Sequence, residues 1–251
     1  MLSFETKCYE NDWEMILQGN YLRTMIARCN TAFAQRRVLI NNVADVDKVS
    51  YYARKQVRAG VIDGFYIVAD YANEALDFFK IDPASFNGGY YYSIAELAGI
   101  YLCNTPYLLH FSSDSFPAKK PTDWIQQALA VFNSREEVVV ANPTWDFNFT
   151  QAKEESFDEL EHFYLGYGFS DQCYLIKTAV FRAPVYNETH ALSVRYPAYG
   201  GELFEKRVDS FMRNHQLFRI TSKEAVYVHE NFPAGKWQRF RRKMDVYWGK
   251  R

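Results

Sequence analysis

Short apolar segments alternate with segments of helical periodicity along the first half of the chain. The apolar positions from Trp13 to Cys29 recur mostly at helical spacing, and Asp12 before them is a plausible N-cap. Gly60 stands where a helix C-cap belongs. In chain order, the pattern predicts strand 2–8, helix 13–29, strand 37–40, a helix from 45 or 47 to 60, strand 65–68 ending at Asp70, helix 71–79, helix 90–103 and strand 107–111.

The second half of the chain is less regular. A helix is predicted over 122–132, with Thr122 or Asp123 as its cap, and a strand over 138–141 that ends at Asn142-Pro143. Residues 144–168 are polar with aromatic patches, a composition that favours a solvated face or a mobile loop over a site. Beyond them the pattern predicts strand 172–176, helix 201–214 and strand 225–229.

Strands that alternate with helices predict an α/β fold, with a doubly wound, mainly parallel sheet flanked by helices. Because no internal repeat or low-complexity linker divides the chain, we expect one domain over 1–235 and a tail over 236–251. Basic residues interleaved with aromatics in the tail suit an anionic membrane surface. Packing on the domain, or onto a partner subunit in a homodimer, explains the tail equally well.

The predicted strand 107–111 leads directly into the polar turn Ser112-Ser113-Asp114. Ligands of open α/β sheets bind beyond the carboxyl ends of strands, so a carboxylate delivered there can hold a metal ion. Asp and Ser also close turns and cap helices, and that alternative stays open for Asp114. The other predicted strand ends carry Thr6 to Glu10, Asn41, Asn42, Asp70 and His229.

Composition narrows the function classes. Hydrophobic residues make up 48% and charged residues 24%, which is typical of a globular protein and excludes general disorder. Aromatic residues reach 18%, a mild indication of a nucleobase or sugar ligand. A formal net charge of −1 disfavours nucleic acid as a partner.

The four cysteines are far apart and lie in apolar or periodic segments. Such spacing predicts buried free thiols in a reducing compartment instead of a disulfide framework or a zinc site. No basic N-terminal region precedes a long apolar one, and no run approaches the roughly 18 apolar residues of a membrane span. We therefore expect a cytoplasmic protein that lies, at most, peripherally at a membrane.

Several motifs are missing from the sequence, namely G-x-G-x-x-G after a strand, G-x-x-x-x-G-K-[ST] and G-x-S-x-G. Dinucleotide oxidoreductases, P-loop enzymes and α/β-hydrolases therefore fit poorly. Carboxylate oxygens and an imidazole at strand ends suit Mg²⁺ or Mn²⁺, and such a cation neutralises a diphosphate.

The helix end Ala98-Gly99-Ile100, followed by Asn104-Thr105-Pro106-Tyr107-Leu108-Leu109-His110-Phe111-Ser112-Ser113-Asp114, resembles the GT-A glycosyltransferases, and among them most closely the family 2 type. The resemblance spans roughly residues 2–230. In that family the strand delivers a D-x-D motif. Asp114 falls on its last position, which contacts the metal, whereas Ser112 stands where the first Asp would be. The resemblance thus implies a metal site with weakened or altered cation binding.

The segment 200–207 is similar to the family's "G-E-D…R" segment, in which an acidic residue at a helix start is the general base. The resemblance implies Glu202 as that base, with Glu205 and Asp209 as fallbacks. An acidic first turn that stabilises a helix dipole explains all three equally well. His229 resembles the late histidine that completes the metal site in many GT-A enzymes, although a lone histidine at a strand end is often structural.

The resemblance implies a nucleotide bordered by strand ends. Asn41-Asn42 occupies the place where the family usually has an acidic pair, so it would bind uracil or ribose as a neutral partner. The residues expected around the nucleotide are Thr6, Cys8, Asn41, Asn42, Asp70, Ser112 and Ser113.

Together these features predict a glycosyltransferase that moves a sugar from a UDP- or GDP-sugar to a saccharide or lipid-linked hydroxyl acceptor, in polysaccharide or glycoconjugate synthesis. The expected mechanism is metal-assisted and inverting. Residues 1–120 would form the nucleotide-sugar half and 121–235 the acceptor half. Two alternatives remain: a nucleotidyltransferase on the same type of sheet, disfavoured because 6–9 lacks a glycine-rich loop, and a non-catalytic sugar-binding module.

Overall fold

The computed structural model describes residues 1–196 and 201–229, so Gly200, Glu230 and the predicted tail 236–251 lie outside the described residues. The strands are β1 Leu2–Cys8, β2 Gln35–Ile40, β3 Gly64–Ile67, β4 Tyr107–Phe111, β5 Ser115–Pro117, β6 Val138–Trp145, β7 Ser156–Glu159, β8 Phe163–Gly166, β9 Cys173–Lys177 and β10 Phe218–His229. The α-helices are α1 Trp13–Leu17, α2 Tyr21–Arg28, α3 Val46–Arg58, α4 Val68–Phe79, α5 Ile94–Leu102, α6 Trp124–Ser134, α7 Phe149–Glu154, α8 Thr178–Phe181 and α9 Phe204–Asn214. Two 3-10 segments cover Pro83–Tyr92 and Ala191–Arg195.

All the described strands belong to one sheet, in the order β3-β2-β1-β4-β9-β6-β10-β8-β7, with β5 paired to β10. The first four strands in this order run parallel to one another, and β6 runs parallel to β10. The remaining neighbours are antiparallel, including β9, which lies between β4 and β6. The predicted α/β class with a parallel core is therefore confirmed, and the sheet crosses both predicted halves of the domain.

Helices cover both faces of the sheet, and the side chains of β4 show how the core divides. Leu109 and Phe111 pack into the core under α1, α2, α3 and α6, whereas Leu108 packs into the core under α4, α5 and α9. Successive side chains of a strand point to opposite faces, so a strand covered on both faces is apolar throughout. This explains why the segment 107–111 is apolar apart from His110, which is buried as well.

Two sequence predictions about helices have clear outcomes. The predicted helix from 45 is confirmed, because Asp45 accepts a hydrogen bond from the Lys48 amide at 2.9 Å and Gly60 has a positive φ of 67° after the helix end. The single helix over 13–29 is wrong. It is divided into α1 and α2 at Gly19, whose φ of 86° cannot continue a right-handed helix.

Of the two interpretations of residues 144–168, the mobile loop is wrong, because this region contains the end of β6 together with α7, β7 and β8, whereas the solvated face is confirmed in part by the exposed residues 157–159. The strand predicted to end at Asn142-Pro143 is longer than expected. Pro143 lies inside β6, at the point where the pairing with β10 shifts register between Thr221 and Val226. Proline lacks an amide hydrogen, and a bulge is where a central strand tolerates it.

The four cysteines are buried and free, as the sequence predicts. In the described part of the chain, no helix has both the length and the apolarity needed to cross a bilayer.

A buried charge network lies beneath β1. Arg37 donates to Glu5 Oε2 at 2.7 Å, and His110 Nδ1 lies 3.0 Å from Glu5 Oε1; all three side chains are fully buried. Arg37 also donates to the Gly99 carbonyl of α5 at 2.5 Å. Burial favours the neutral acid, but the charge of Arg37 and the hydrogen bond from His110 hold the pKa of Glu5 below its usual value. The Glu5 carboxylate thereby joins β1 to β2 and β4, and Arg37 joins these strands to α5.

We expect Gly99→Ala to lower the free energy of unfolding by about 2 kcal/mol, although alanine usually favours a helix. A Cβ at this position would overlap the Glu5 carboxylate, which its partners hold in place. Gly64→Ala is the matched control, since nothing lies within 4 Å of a Cβ there. Urea denaturation of both variants tests this, and equal stability of Gly99→Ala and the wild type would contradict it.

Candidate active site

A cavity of about 510 Å³ opens beyond the carboxyl ends of β1, β2 and β4. Side chains from strand ends and from the loops that follow them line it: Lys7, Cys8, Tyr9, Asn11, Asn41, Tyr91, Tyr92, Ser112, Ser113, Asp114, Asp171, Gln172 and His229. This is the edge of an open α/β sheet at which ligands bind.

Asp114 and His229, predicted as metal ligands, face each other in this cavity. The antiparallel pairing of β5 with β10 places His229 opposite Ser115, next to Asp114 in the chain. His229 Nε2 lies 3.3 Å from Asp114 Oδ2, and the His229 amide donates to Asp146 Oδ1 at 2.9 Å. The hydrogen bond with Asp114 raises the pKa of His229 above its usual value. The structure thus brings together two residues separated by 115 positions.

One carboxylate and one imidazole fit a divalent cation that completes its coordination with ligand oxygens. Among the described residues, no group of three or more His, Cys, Asp or Glu side chains is arranged to hold a metal ion. Magnesium in particular is usually held by one or two carboxylates together with substrate phosphates and water. Asp114 and His229 would therefore hold a cation shared with a phosphate ligand, instead of forming a closed protein site.

Of the residues predicted to border a nucleotide, four line the cavity: Cys8, Asn41, Ser112 and Ser113. Asn41 Nδ2 donates to the Tyr91 carbonyl at 3.3 Å, which ties the end of β2 to the segment before α5.

Thr6, Asn42 and Asp70 do not line the cavity. Thr6 is fully buried inside β1, two positions before the strand ends. Asn42 is exposed and has a positive φ of 49°. Asp70 was expected at a strand end, but β3 ends at Ile67 and Asp70 lies exposed in the first turn of α4.

Three tyrosines form an aromatic wall that the sequence did not single out. Tyr9 and Tyr91 meet edge to face with ring centroids 6.0 Å apart, and Tyr91 meets Tyr92 in the same way at 5.1 Å. The Tyr92 side chain is half exposed. The run Tyr90-Tyr91-Tyr92 was the available signal, but its place near β1 depends on the fold.

Lys7, at the end of β1, is paired with the buried carboxylate of Glu96 on α5. Burial opposes the charge of Lys7, yet Glu96, Asp171 and Asp114 together raise its pKa above the usual value. Neither Lys7 nor Glu96 was predicted as a site residue. The signal was present, because charged residues within apolar segments are rarely buried without a partner.

Asp12 occupies the N-cap position of α1, but its side chain makes no capping hydrogen bond to that helix. Its two carboxylate oxygens instead accept from the Tyr9 amide at 2.7 Å and from the Ser113 hydroxyl at 2.5 Å. It therefore braces the turn that carries Asp114. Burial raises the pKa of Asp12 to about 7.

The residues predicted as general base lie apart from the cavity lining. Glu202 lies just before α9 and forms an ion pair at 2.6 Å with Lys206 in the first turn of that helix. Asp209 is fully buried and accepts from Ser193 at 2.6 Å and from Arg213 at 2.9 Å, which indicates a structural role. Glu205 is closer to the cavity, because its Oε1 accepts the amide of the lining residue Asp171 at 2.8 Å.

The raised pKa of Asp12 predicts a pH-dependent stability. Its folded pKa of about 7 lies above the usual 3.8, so the folded protein binds more protons than the unfolded chain between these values. The contribution of Asp12 to stability should therefore fall as pH rises from about 4 to 7. We expect Asp12→Asn to gain stability relative to the wild type over this interval, by up to about 4 kcal/mol.

The measurement is the free energy of unfolding of both proteins at several pH values between 4 and 8. Asp77→Asn, on the exposed side of α4, is the control and should show no such pH-dependent difference from the wild type. A constant difference between Asp12→Asn and the wild type at every pH would refute this role of Asp12.

No protein-family model and no curated protein matches the sequence. Solved structures do match the fold. A mycobacterial protein has a TM-score of 0.50 at 14% identity, with 93% of this chain and 68% of that chain covered. Glucosyl-3-phosphoglycerate synthase from Mycobacterium tuberculosis, with Mn²⁺, UDP and glucosyl-3-phosphoglycerate, has a TM-score of 0.48 at 11% identity, covering 100% and 79% of the two chains. Mouse xyloside xylosyltransferase 1 has a TM-score of 0.47 at 14% identity, covering 98% and 92%. At these identities the likeness concerns the fold alone.

Proposed function

We propose that this chain is a GT-A-like glycosyltransferase that transfers a sugar from a nucleoside diphosphate sugar to a hydroxyl acceptor, with the aid of a divalent cation. The proposed chemistry is an inverting single displacement at the anomeric carbon. The donor nucleotide is UDP or GDP, and the acceptor is a saccharide or a lipid-linked sugar.

The observation that carries this proposal is the pairing of Asp114 with His229 in a cavity that also has an aromatic wall. Asp114 follows a parallel strand and His229 ends β10, and their side chains meet at 3.3 Å. A carboxylate and an imidazole can share a cation with a diphosphate, while tyrosine rings can stack on a nucleobase. A ligand that has both a base and a diphosphate uses both features at once.

The base and the diphosphate of the donor would each have a counterpart in the cavity. The base would pack against Tyr91 and Tyr92, with the Asn41 amide as a neutral hydrogen-bonding partner. The diphosphate would lie near Lys7, whose ammonium group is held at the end of β1 by Glu96. A bound cation supplies charge stabilisation for the leaving diphosphate. Asp12 keeps the Ser113 turn, and with it Asp114, in place.

We expect calorimetry to show UDP or GDP binding that depends on Mn²⁺, and Asp114→Ala and His229→Ala each to weaken it at least about tenfold, since each removes one of two cation ligands. Mn²⁺ alone should bind far more weakly than Mn²⁺ with nucleotide, because the phosphates complete its coordination. His162→Ala is the control, since His162 lies beside Glu161 and Glu224 instead of in the cavity. Unchanged nucleotide binding by Asp114→Ala would contradict the assignment of Asp114 as a metal ligand.

The aromatic wall gives a separate prediction. Tyr92→Ala should raise the dissociation constant for UDP or GDP about tenfold, because stacking of a base on an aromatic ring is worth about 1–3 kcal/mol. It should leave binding of inorganic pyrophosphate with Mn²⁺ nearly unchanged. Tyr51→Ala is a matched control, as Tyr51 is 49% exposed on α3 and Tyr92 is 50% exposed. Equal losses for nucleotide and pyrophosphate would argue against stacking on Tyr92.

Two assays separate this function from the alternatives. Release of pyrophosphate from a nucleoside triphosphate and a sugar phosphate would identify a nucleotidyltransferase. Binding of sugar without release of nucleotide from any UDP- or GDP-sugar would identify a non-catalytic module. A glycosyltransferase releases nucleoside diphosphate from its own donor.

A further inference from the structure

Asp171 is a second carboxylate in the cavity, and it lies outside the sequence motifs discussed above. Among the described residues that line the cavity, Asp114 and Asp171 are the carboxylates. Asp114 is engaged with His229, as the proposed metal pair. Asp171 comes directly before Gln172 and β9, the antiparallel neighbour of β4.

The register of β4 with β9 explains why Asp171 lies beside the Asp114 turn. Phe111 is paired with Cys173 across the two strands. One residue further, the Ser112 amide donates to the Gln172 carbonyl at 2.8 Å. The Ser112 hydroxyl then reaches the Asp171 carbonyl at 3.4 Å. Residue 171 is thus fixed from the β4 side.

Glu205 holds Asp171 from the other side, through the hydrogen bond from the Asp171 amide to its Oε1 at 2.8 Å. Burial and the adjacent Asp171 carboxylate raise the pKa of Glu205 well above its usual value. Burial also raises the pKa of Asp171, while the charge of Lys7 opposes that rise. Asp171 is therefore a more basic carboxylate than an exposed one.

Resting on the proposed function, we infer that Asp171, instead of Glu202, is the general base that removes the proton from the acceptor hydroxyl. The hydroxyl proton moves to an Asp171 carboxylate oxygen as the hydroxyl oxygen forms its bond to the anomeric carbon. The bond from that carbon to the diphosphate oxygen breaks, and its electron pair leaves with the diphosphate. Glu202 is paired with Lys206 and does not line the cavity, whereas Asp171 does.

The test uses Asp171→Asn, which keeps the shape of the side chain and removes its basicity. The donor is whichever UDP- or GDP-sugar the wild type hydrolyses fastest, with water as the acceptor. We expect the turnover of Asp171→Asn to fall about 100-fold or more, as typical for loss of a general base. UDP or GDP binding with Mn²⁺ should stay within about threefold of the wild type, since the base acts on the acceptor.

Azide distinguishes a lost base from a disturbed site. It attacks the anomeric carbon without losing a proton, so it should restore turnover of Asp171→Asn about tenfold or more and give a glycosyl azide. Glu161→Gln, a change at a carboxylate that is 86% exposed, should behave as the wild type in every assay. If Asp171→Asn does not fold, Asp171→Ala takes its place.

The outcomes separate this inference from the proposed function. A wild type that neither binds UDP or GDP with Mn²⁺ nor turns over any donor overturns both. An active wild type with Asp171→Asn within threefold of its turnover overturns the base assignment alone. So does a variant that azide does not restore, or one that loses nucleotide binding in parallel with turnover, because Asp171 would then hold the donor or the site.

Discussion

The ion pair between Glu5 and Arg37 is the constraint on which the site depends. Both side chains are fully buried, and an unpaired charge at that depth would cost several kcal/mol. Arg37 must therefore stay on the Glu5 carboxylate and on the Gly99 carbonyl, which fixes β1, β2 and α5 relative to one another. The same helix presents Glu96 to Lys7 at the end of β1. The floor of the cavity is thus set by buried electrostatics as much as by apolar packing.

A second constraint joins the two distant parts of the site. β5 is only three residues long, yet its antiparallel pairing with the end of β10 brings His229 beside the turn that follows β4. A register shift opposite Pro143, between Thr221 and Val226 of β10, lets β10 stay paired with β6 on its way to that position. Parallel pairing builds the base of the cavity, and this short antiparallel pairing closes its other wall. Strand pairing, together with the hydrogen bond from Ser113 to Asp12, therefore determines where the two proposed metal ligands meet.

The strand at 107–111 and the helix that begins after Asp45 could be read from the sequence because each follows a local rule, a buried apolar run and a capped helix start. Local rules could not predict that Asp114 and His229 lie close together. That expectation came from the resemblance to a family. Asp12 shows the limit of prediction from local rules. Its N-cap position could be predicted, but its hydrogen bond with Ser113 could not, because the two residues are 101 positions apart. Asp171 was hidden for the same reason, because its surroundings come from β4 and α9.

The charges of the cavity explain why a cation and a nucleotide would bind together. Among the described lining residues, Lys7 is the only lysine or arginine. The Glu96 carboxylate already neutralises its charge. Asp114 and Asp171 add negative charge, so the empty cavity would repel a diphosphate on its own. A divalent cation on Asp114 and His229 reverses this local balance, and the diphosphate in turn supplies the ligands that two protein side chains lack. Each component removes the obstacle to binding the other, so the two affinities must be coupled to the same extent in both directions.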